Sequence, residues 1–527
     1  MTVLVSPGTS VTLVNESYYI PATAPTVPLF FIATRADKKQ ADGITAAPGS
    51  LEHSVVRTIT SLNQSVSTYG VPKFRTDNSG AQLHGDCRNE YGVMALNQAL
   101  TILSRAYVVR ADVDLADADI ITYVSTVPAP GVNTGTGTIS VPVVNQAAGI
   151  DQVWTLTALD ANNFTVSGFI SGAQSPLVVG TPYNNGLVSF TITSGGTPFI
   201  IGDAFTFTVS HTTTINPLGA NDAAKRATIV TALRAEINSN QDVRSEIYEY
   251  NLILCPGYYE VAGELLNLNL DLNEEAFVIS DCPFNKSPED TQVWSGGVER
   301  ENSQNIAYYY PNAMASNLDG VEVFCAASGV ALKTIAYSDS VSEVWYPPAG
   351  ERRGLVSGVS NVGYVTGTLG TATTFVSTPL NQGQRDILYE TATATGRINI
   401  IPIFPGKGIL VFGQKTSASA ASALDRINVM RLMVMIKRDV RKSSFAYLFE
   451  LNDRITRDAI KQTIDNYLSD ILLRRGLYDY VVVCDLSNNT PTRIDRNELW
   501  VDIALKPEKA IEFIYIPIRV VSTGASF

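Results

Sequence analysis

Basic residues are missing from one long stretch of this chain: between Arg110 and Lys225 there is no Lys or Arg. With a formal charge of −12 for the whole chain, this works against the cationic face that phosphate backbones require, so nucleic acid is not expected as a direct partner. Histidine is almost as scarce, with only His53, His84 and His211. A Ser-His-Asp triad needs an imidazole beside its nucleophile, and none of the three falls in the stretch that reads as a parallel sheet. No G-x-x-x-x-G-K-[ST] loop is present, so an ATP-driven motor is not expected. Gly135-Thr136-Gly137 lacks the strand–helix context of a dinucleotide site, and Gly406-Lys407-Gly408 reads as a turn before a strand. The five cysteines (Cys87, Cys255, Cys282, Cys325, Cys484) are odd in number and far apart, without a C-x-x-C pair. This excludes a metal knuckle or closed disulfide framework; buried free thiols are expected, with an intersubunit disulfide as the alternative. No catalytic, metal or cofactor site is assigned. No run approaches the ~20 apolar residues that span a bilayer, so membrane insertion is not expected. The start, Met1-Thr2-Val3-Leu4-Val5-Ser6-Pro7-Gly8, lacks a signal peptide's charged and apolar regions, so folding in a cytoplasm is expected.

What is present is an ordinary globular composition, 45% hydrophobic and 17% charged over 527 residues. That length implies several packing units of ~100–200 residues each. Charge divides the chain: from Arg385 onward there are 20 basic and 16 acidic residues, whereas the remainder holds 18 and 34.

Residues 1–24 combine β-prone stretches with Pro7 and Pro21, which favours an extended arm. Such an arm can add a strand to a neighbour's sheet edge. Residues 25–117 read as an α/β unit: a buried strand from Pro28 to Thr34, helical spacing over 89–104, and a strand at 106–110. Residues 118–215 change to Thr, Val, Gly, Ser and Asn with alternating strands at 152–157 and 203–209, as in an inserted β-sandwich or barrel. Over 216–384 an amphipathic helix is expected at 223–241, with Lys225, Arg226, Arg234 and Glu236 toward water. Apolar runs at 250–255, 276–280 and 306–310 follow at βαβ spacing, indicating a parallel sheet. Residues 354–380 read as loop with short strands. In the last unit, 385–527, a strand is expected at 406–413, helices at 424–440 and 456–475 with Gly476 as C-cap, and strands at 498–505 and 510–521. The final run is apolar at nearly every position and needs cover on both faces.

The stretch 323–359 contains Ala327-Ser328-Gly329-Val330-Ala331 and Glu343-Val344-Trp345-Tyr346-Pro347-Pro348-Ala349-Gly350. These resemble the "PPSG-x-VAG … D-x-x-x-GVW-x-aPAG" stretch of the contractile tail sheath family, which includes phage sheaths and those of pyocin-like particles. Ala327 replaces the motif's second proline, Leu332 its second glycine, and Ser342-Glu343 the dipeptide before Val-Trp. The resemblance continues through Gly396-Arg397-Ile398-Asn399-Ile400 and 408–416 to the C-terminus, and includes the N-terminal arm and 29–34. It does not carry residues 111–220.

The resemblance implies an inner core from the N- and C-terminal segments, a non-catalytic subtilisin-like α/β middle domain, an outer all-β insert and extended terminal arms. It also implies a homo-oligomer of six-fold rings or a helix around an inner tail tube, with baseplate and tail terminator proteins as further partners. Such a sheath contracts from a metastable state and drives the tube through the target cell envelope. Its location is the virion tail, assembled in a host cytoplasm. Candidate arm strands lie at 9–14 and 511–521, with Val11, Leu13, Val14, Phe513, Ile514, Tyr515, Ile516 and Ile518 as their apolar residues. Candidate tube-facing cations are Lys437, Arg438, Arg441, Lys442, Arg454, Arg457 and Lys461, since salt-screened charge contacts suit a grip that must release. Two other readings stand beside this one: another virion or adhesin-like component, suggested by the basic-free insert, and an α/β hydrolase-like enzyme using the crevice near Cys255-Pro256-Gly257 and Asp281-Cys282-Pro283.

Overall fold

The computed structural model describes residues 26–77, 80–116, 120–146, 148–214, 218–219, 221–367, 374–390 and 396–516. Two compact units result: Met1–Ala116 with Asp222–Phe527, and Asp117–Asn221.

The first unit is organised by a seven-stranded sheet whose strands are β1 (Pro28–Thr34), β2 (Arg57–Ile59), β3 (Ala106–Asp114), β4 (Leu252–Leu254), β5 (Phe277–Asp281), β6 (Ile306–Tyr310) and β7 (Ile398–Ile400). Their order is β2-β3-β1-β4-β5-β6-β7, and only β2 pairs antiparallel. Every residue of β1, β5 and β6 is buried. A strand apolar on both faces is stable only between two covered faces. Helix α1 (Tyr91–Ala99) packs against α3 (Ala327–Val341), while α2 (Asp222–Ser239) packs against β3. Gly329 marks the closest approach of α1 and α3: a Cβ there would lie 2.6 Å from that of Ala95. Phe30, Val93, Val108, Leu254, Ile279, Tyr309 and Val330 belong to one core cluster, each such burial contributing ~1.5–3 kcal/mol.

The sheet draws strands from all three segments expected as separate units, 25–117, 216–384 and 385–527. Those segments therefore share one core. Composition shows that β1 needs covering, but its neighbours β3 and β4 are set by long-range pairing. Three local expectations also change. The helix expected over 89–104 is Tyr91–Ala99. Arg226 and Glu236 of α2 are buried, not solvated. Arg226 pairs bidentately with Glu260 (2.7 and 3.0 Å), and Glu236 accepts from Ser54 Oγ (2.6 Å) and Asn240 Nδ2 (2.7 Å). The strand expected at 406–413 is only Gly408–Ile409, paired with Ile403–Phe404. All five cysteines are buried and unpaired.

The second unit contains β-structure and no helix among its described residues. Strands Asn163–Gly168, Gln152–Ala158, Ala204–Thr214 and Ile120–Ser125 pair antiparallel in that spatial order. Burial alternates strictly along Asn163–Gly168 and closely along Gln152–Ala158, placing Trp154, Leu156, Phe164 and Val166 in a core with Phe205, Phe207 and Val209. The opposite positions, including Thr155, Thr165, Ser167 and Thr206, face solvent.

Candidate assembly surface

The C-terminal part of the first unit is built on α4 (Ile427–Phe445) and α5 (Arg454–Leu473). Asp453 caps α5 by accepting from the Thr456 amide at 2.8 Å. Leu432 and Ile436 of α4 and Ile460, Ile464, Leu468 and Ile471 of α5 form a shared apolar core. Helix α5 ends with Arg475 in the left-handed region (φ 67°) and the Gly476 amide donating to Ile471 O at 2.8 Å. The glycine thus stands one residue after the left-handed position. Its small size is required by packing, because a Cβ would sit 2.5 Å from Ile471 Cγ2 and 3.0 Å from the Trp345 ring. Trp345 donates from Nε1 to Arg474 O (3.2 Å), while the Arg474 guanidinium lies over its ring at 5.2 Å. The motif tryptophan therefore ties 343–350 to the end of α5.

The seven candidate cations separate into three groups. Arg438 and Arg457 are buried and cannot face a partner as placed. Burial lowers the pKa of Arg438, and Arg457 donates to Asn452 O (3.1 Å) and Oδ1 (2.8 Å). Both lie on the inward faces of their helices, a registration that charge counting does not give. Lys437, Arg441 and Lys442 face acidic residues of the same chain: Lys437–Glu274 at 3.8 Å, Arg441–Glu275 at 2.7 Å, Arg441–Glu246 at 3.1 Å and Lys442–Glu249 at 2.7 Å. The end of α4 is thereby clamped to the segments preceding β4 and β5. Arg454 is 88% exposed and pairs with Asp458 at 3.4 Å, and Lys461 is half-buried on α5.

Strands β8 (Leu477–Val483) and β9 (Asp502–Pro507) form an antiparallel two-stranded sheet, each with one edge unpaired among the described residues. Tyr478 and Val481 are exposed on β8. The strand expected at 498–505 starts only at Asp502, because Trp500 O is engaged by Asn488 and Asn489. Beyond β9, the strand expected from 510 is absent over residues 510–516, and 517–521 lie outside the described residues together with Ile518. Ile511, Phe513, Ile514, Tyr515 and Ile516 are instead exposed, by 64–87%. The segment is pinned at Glu512, which receives Arg426 Nε (2.5 Å), Arg426 Nη2 (3.0 Å) and Gln414 Nε2 (2.9 Å). One carboxylate is held, and its apolar neighbours are left in water. Val11, Leu13 and Val14 lie outside the described residues. Thr26, where the description begins, donates to Asp339, which also binds Arg431 (Nη1–Oδ1 3.0 Å) in a buried pair.

The crevice at the C-terminal ends of β4 and β5 contains an ionisable group of altered acidity. Burial raises the pKa of Asp281 to about 6, against hydrogen bonds from the amides of Gly257 (2.8 Å) and Ser328 (2.6 Å) and from Ser328 Oγ (2.9 Å). None of those donors is a histidine. His53 lies 3.5 Å from Asp112, and His211 lies 2.5 Å from Asp151 in the second unit. The Ser328 of the Ala-Ser-Gly motif is thus used to join α3 to β5. Among the described residues no cluster of His, Cys, Asp and Glu has metal-holding geometry, and no helix is long and apolar enough to cross a membrane.

Residues 419–521 match the family model of the phage tail sheath C-terminal domain. The tail sheath protein of Vibrio phage KVP40 is 40% identical over 192 residues, and that of Enterobacteria phage T4 is 37% identical over the same length. Over part of its length the chain is thus similar to phage tail sheath proteins. The aligned segment is 36% of this chain and 26% of each phage sheath protein. Over the whole chain the fold is that of solved sheaths. The PVC sheath complex of an extracellular contractile injection system, in its contracted state, gives a TM-score of 0.52 at 14% identity, covering 98% of both chains. The contracted helical sheath of the anti-feeding prophage gives 0.53 at 17% identity, covering 98% of this chain and 99% of that one. The sheath resemblance of the sequence motifs is thus matched by a mixed α/β multidomain fold of sheath type.

Proposed function

We propose that this chain is a structural subunit of a contractile tail sheath that polymerises as rings or a helix around an inner tube and contracts from a metastable extended state. The observation that carries the reading is the apolar segment 511–516, exposed and unpaired directly after a two-stranded sheet with open edges. The sheet packs on α5 but leaves its edges open, and several adjacent large apolar side chains are a cost unless another surface covers them. A second copy supplies that cover by strand addition, whose main-chain hydrogen bonds persist while the linked domains rotate. The sheath match over 419–521 includes this segment.

On this reading the arms at 9–14 and 511–521 link neighbouring subunits, and the stored energy lies in alternative packings of one sequence, without nucleotide. The inner tube, baseplate and terminator proteins are the other partners, the virion tail is the location, and assembly takes place in the host cytoplasm. The insert lies outward, and the unit containing the seven-stranded sheet serves as a non-catalytic scaffold. On this reading Arg454 and Lys461 of α5 meet the tube, Arg454 from beside its own Asp458, and Lys437, Arg441 and Lys442 exchange their own carboxylates for those of a partner. Electron microscopy of the purified full chain tests the reading. Hollow cylinders are expected, and their loss on removing residues 511–527 while the protein stays folded. Discrete oligomers or spikes from the full chain would overturn it.

A further inference from the structure

After β9 the chain runs along its own domain before it becomes free. The Glu508 amide donates to Gly476 O (3.3 Å), and no backbone N–H or C=O of residues 509–516 is hydrogen-bonded among the described residues. Residues 509–513 form a ridge between two grooves of that domain. One groove, of about 740 Å³, is walled by Trp345, Tyr346 and Phe412; the other, of about 690 Å³, is walled by Ala421, Arg426 and Val429. A single side chain holds the ridge in place. That of Glu512 is 15% exposed, whereas Ile511 and Phe513 on either side are 82% and 64% exposed.

The groups that grip Glu512 are themselves fixed. Lys415 and Arg426 form an antiparallel bridge, and Ile427 donates its amide to Gln414 O at 2.8 Å, so Gln414 and Arg426 come from paired backbone. Arg426 stands immediately before α4 with its Nη1 2.8 Å from Asp425, which leaves Nε and Nη2 for Glu512 (2.5 and 3.0 Å). The buried Gln414 adds a third bond from Nε2 (2.9 Å). Tyr389 lies beside the same carboxylate, and burial together with that negative charge raises its pKa and keeps the phenol protonated. Paired nitrogens on a carboxylate make a strong and directional contact. Glu512 is also the only acidic residue between Ala510 and Val521. In an extended strand it shares one side with Ile514 and Ile516, and the only partners the structure gives this charge belong to its own subunit.

We propose that the contact of Glu512 with Arg426 and Gln414 is an autoinhibitory latch, which parks the terminal arm on its own subunit and holds back strand addition to a second copy until the arm is released. The inference rests on the reading that 511–521 joins neighbouring copies. Strand addition brings a second main chain alongside the first at ~4.7–4.9 Å. On the ridge both sides of 509–513 face walls of the same domain, so another subunit's strand reaches that main chain only after the segment lifts away. Only the unlatched fraction is then competent to assemble, and apparent affinity falls by that fraction. Once a neighbour is in place, the added strand gains the main-chain hydrogen bonds that the parked segment lacks. The latch therefore delays assembly without preventing it.

The test uses the full chain with Glu512→Gln and, from the other side of the contact, Arg426→Gln, each checked for folding by circular dichroism. Brief trypsin digestion of dilute, unassembled protein, read by mass spectrometry, reports on the arm alone: Lys509 is exposed, and a cut after it requires the following residues to leave the ridge. Cleavage there is expected to be about tenfold faster in both variants, as for loss of a charge-assisted pair. The concentration at which polymer first pellets is expected to fall about threefold or more. Glu508→Gln removes the same charge from the same segment, at a carboxylate that forms no ion pair among the described residues, and is expected to change neither readout. Where Arg426→Gln unfolds, Glu512→Gln decides, since Glu512 lies outside every helix and strand. Equal cleavage after Lys509, or polymer from the variants at an unchanged or higher threshold, would overturn the latch alone. Absence of polymer from every chain, the unaltered one included, would overturn the reading beneath it and the latch with it.

Discussion

The seven-stranded sheet and the β8–β9 sheet use similar residues in opposite ways. Along β5 and β6, Phe277, Ile279, Ile306 and Tyr309 are closed off by neighbouring strands and helices of their own chain. Beyond β9, Ile511, Phe513, Ile514, Tyr515 and Ile516 are just as apolar and remain in water. The first region is complete in one chain. The second has the composition of an interior and the exposure of a surface, which is the condition of a segment awaiting a partner.

Breaking the complete region should have the largest effect. Asp339→Ala leaves Arg431 buried without its counter-charge, and a loss of about 3–5 kcal/mol is expected by chemical denaturation. Phe277→Ala opens a cavity beside β4 and β6 and should also cost about 3–5 kcal/mol. Next comes pH. Asp281 has a folded pKa raised to about 6 from 3.8, so the folded state holds its proton more tightly than the unfolded chain does. Its contribution is therefore fully present below about pH 4 and is lost as pH rises through about 6, a change of order 3 kcal/mol. The Asp281→Asn variant should lack this slope when stability is measured between those limits, and an unchanged slope would refute the assignment.

Smaller effects are expected from the clamp on α4. Lys437→Glu/Arg441→Glu/Lys442→Glu sets new negative charge against Glu246, Glu249, Glu274 and Glu275. These pairs are partly exposed and screened, so the monomer should lose only about 1–2 kcal/mol. Tube-bound cylinders should nonetheless be lost; normal sheaths from that variant would remove α4 from the grip. The smallest change in monomer stability belongs to the open region. Ile514→Asp should shift it by less than about 0.5 kcal/mol while abolishing polymer in pelleting assays, and a large loss of monomer stability would show the segment to be internal.

Much of this contrast was legible in the sequence, because it rests on local pattern. The runs at 250–255, 276–280 and 306–310 match the parallel strands β4, β5 and β6 to within a residue or two, and the alternation at 152–157 and 203–209 corresponds to strands of the second unit. Facing and pairing were not legible. Arg226, Arg438 and Arg457 read as solvated cations, yet each has bonds or buried surroundings supplied by residues that periodicity does not identify, such as Glu260 and Asn452. Strand β1 could be recognised as buried, but its pairing with β3 and β4 depends on long-range contacts such as Leu29 with Tyr107 and with Ile253.

The basic-free stretch has a practical consequence. Trypsin cuts only after Lys and Arg, so between Arg110 and Lys225 it has no site at all, folded or unfolded. The second unit lies entirely inside that span, and digestion will deliver it as one uncut piece. Any trypsin cleavage pattern that changes on assembly must therefore originate in the first unit, giving a protease readout of polymerisation that is blind to the insert by composition alone.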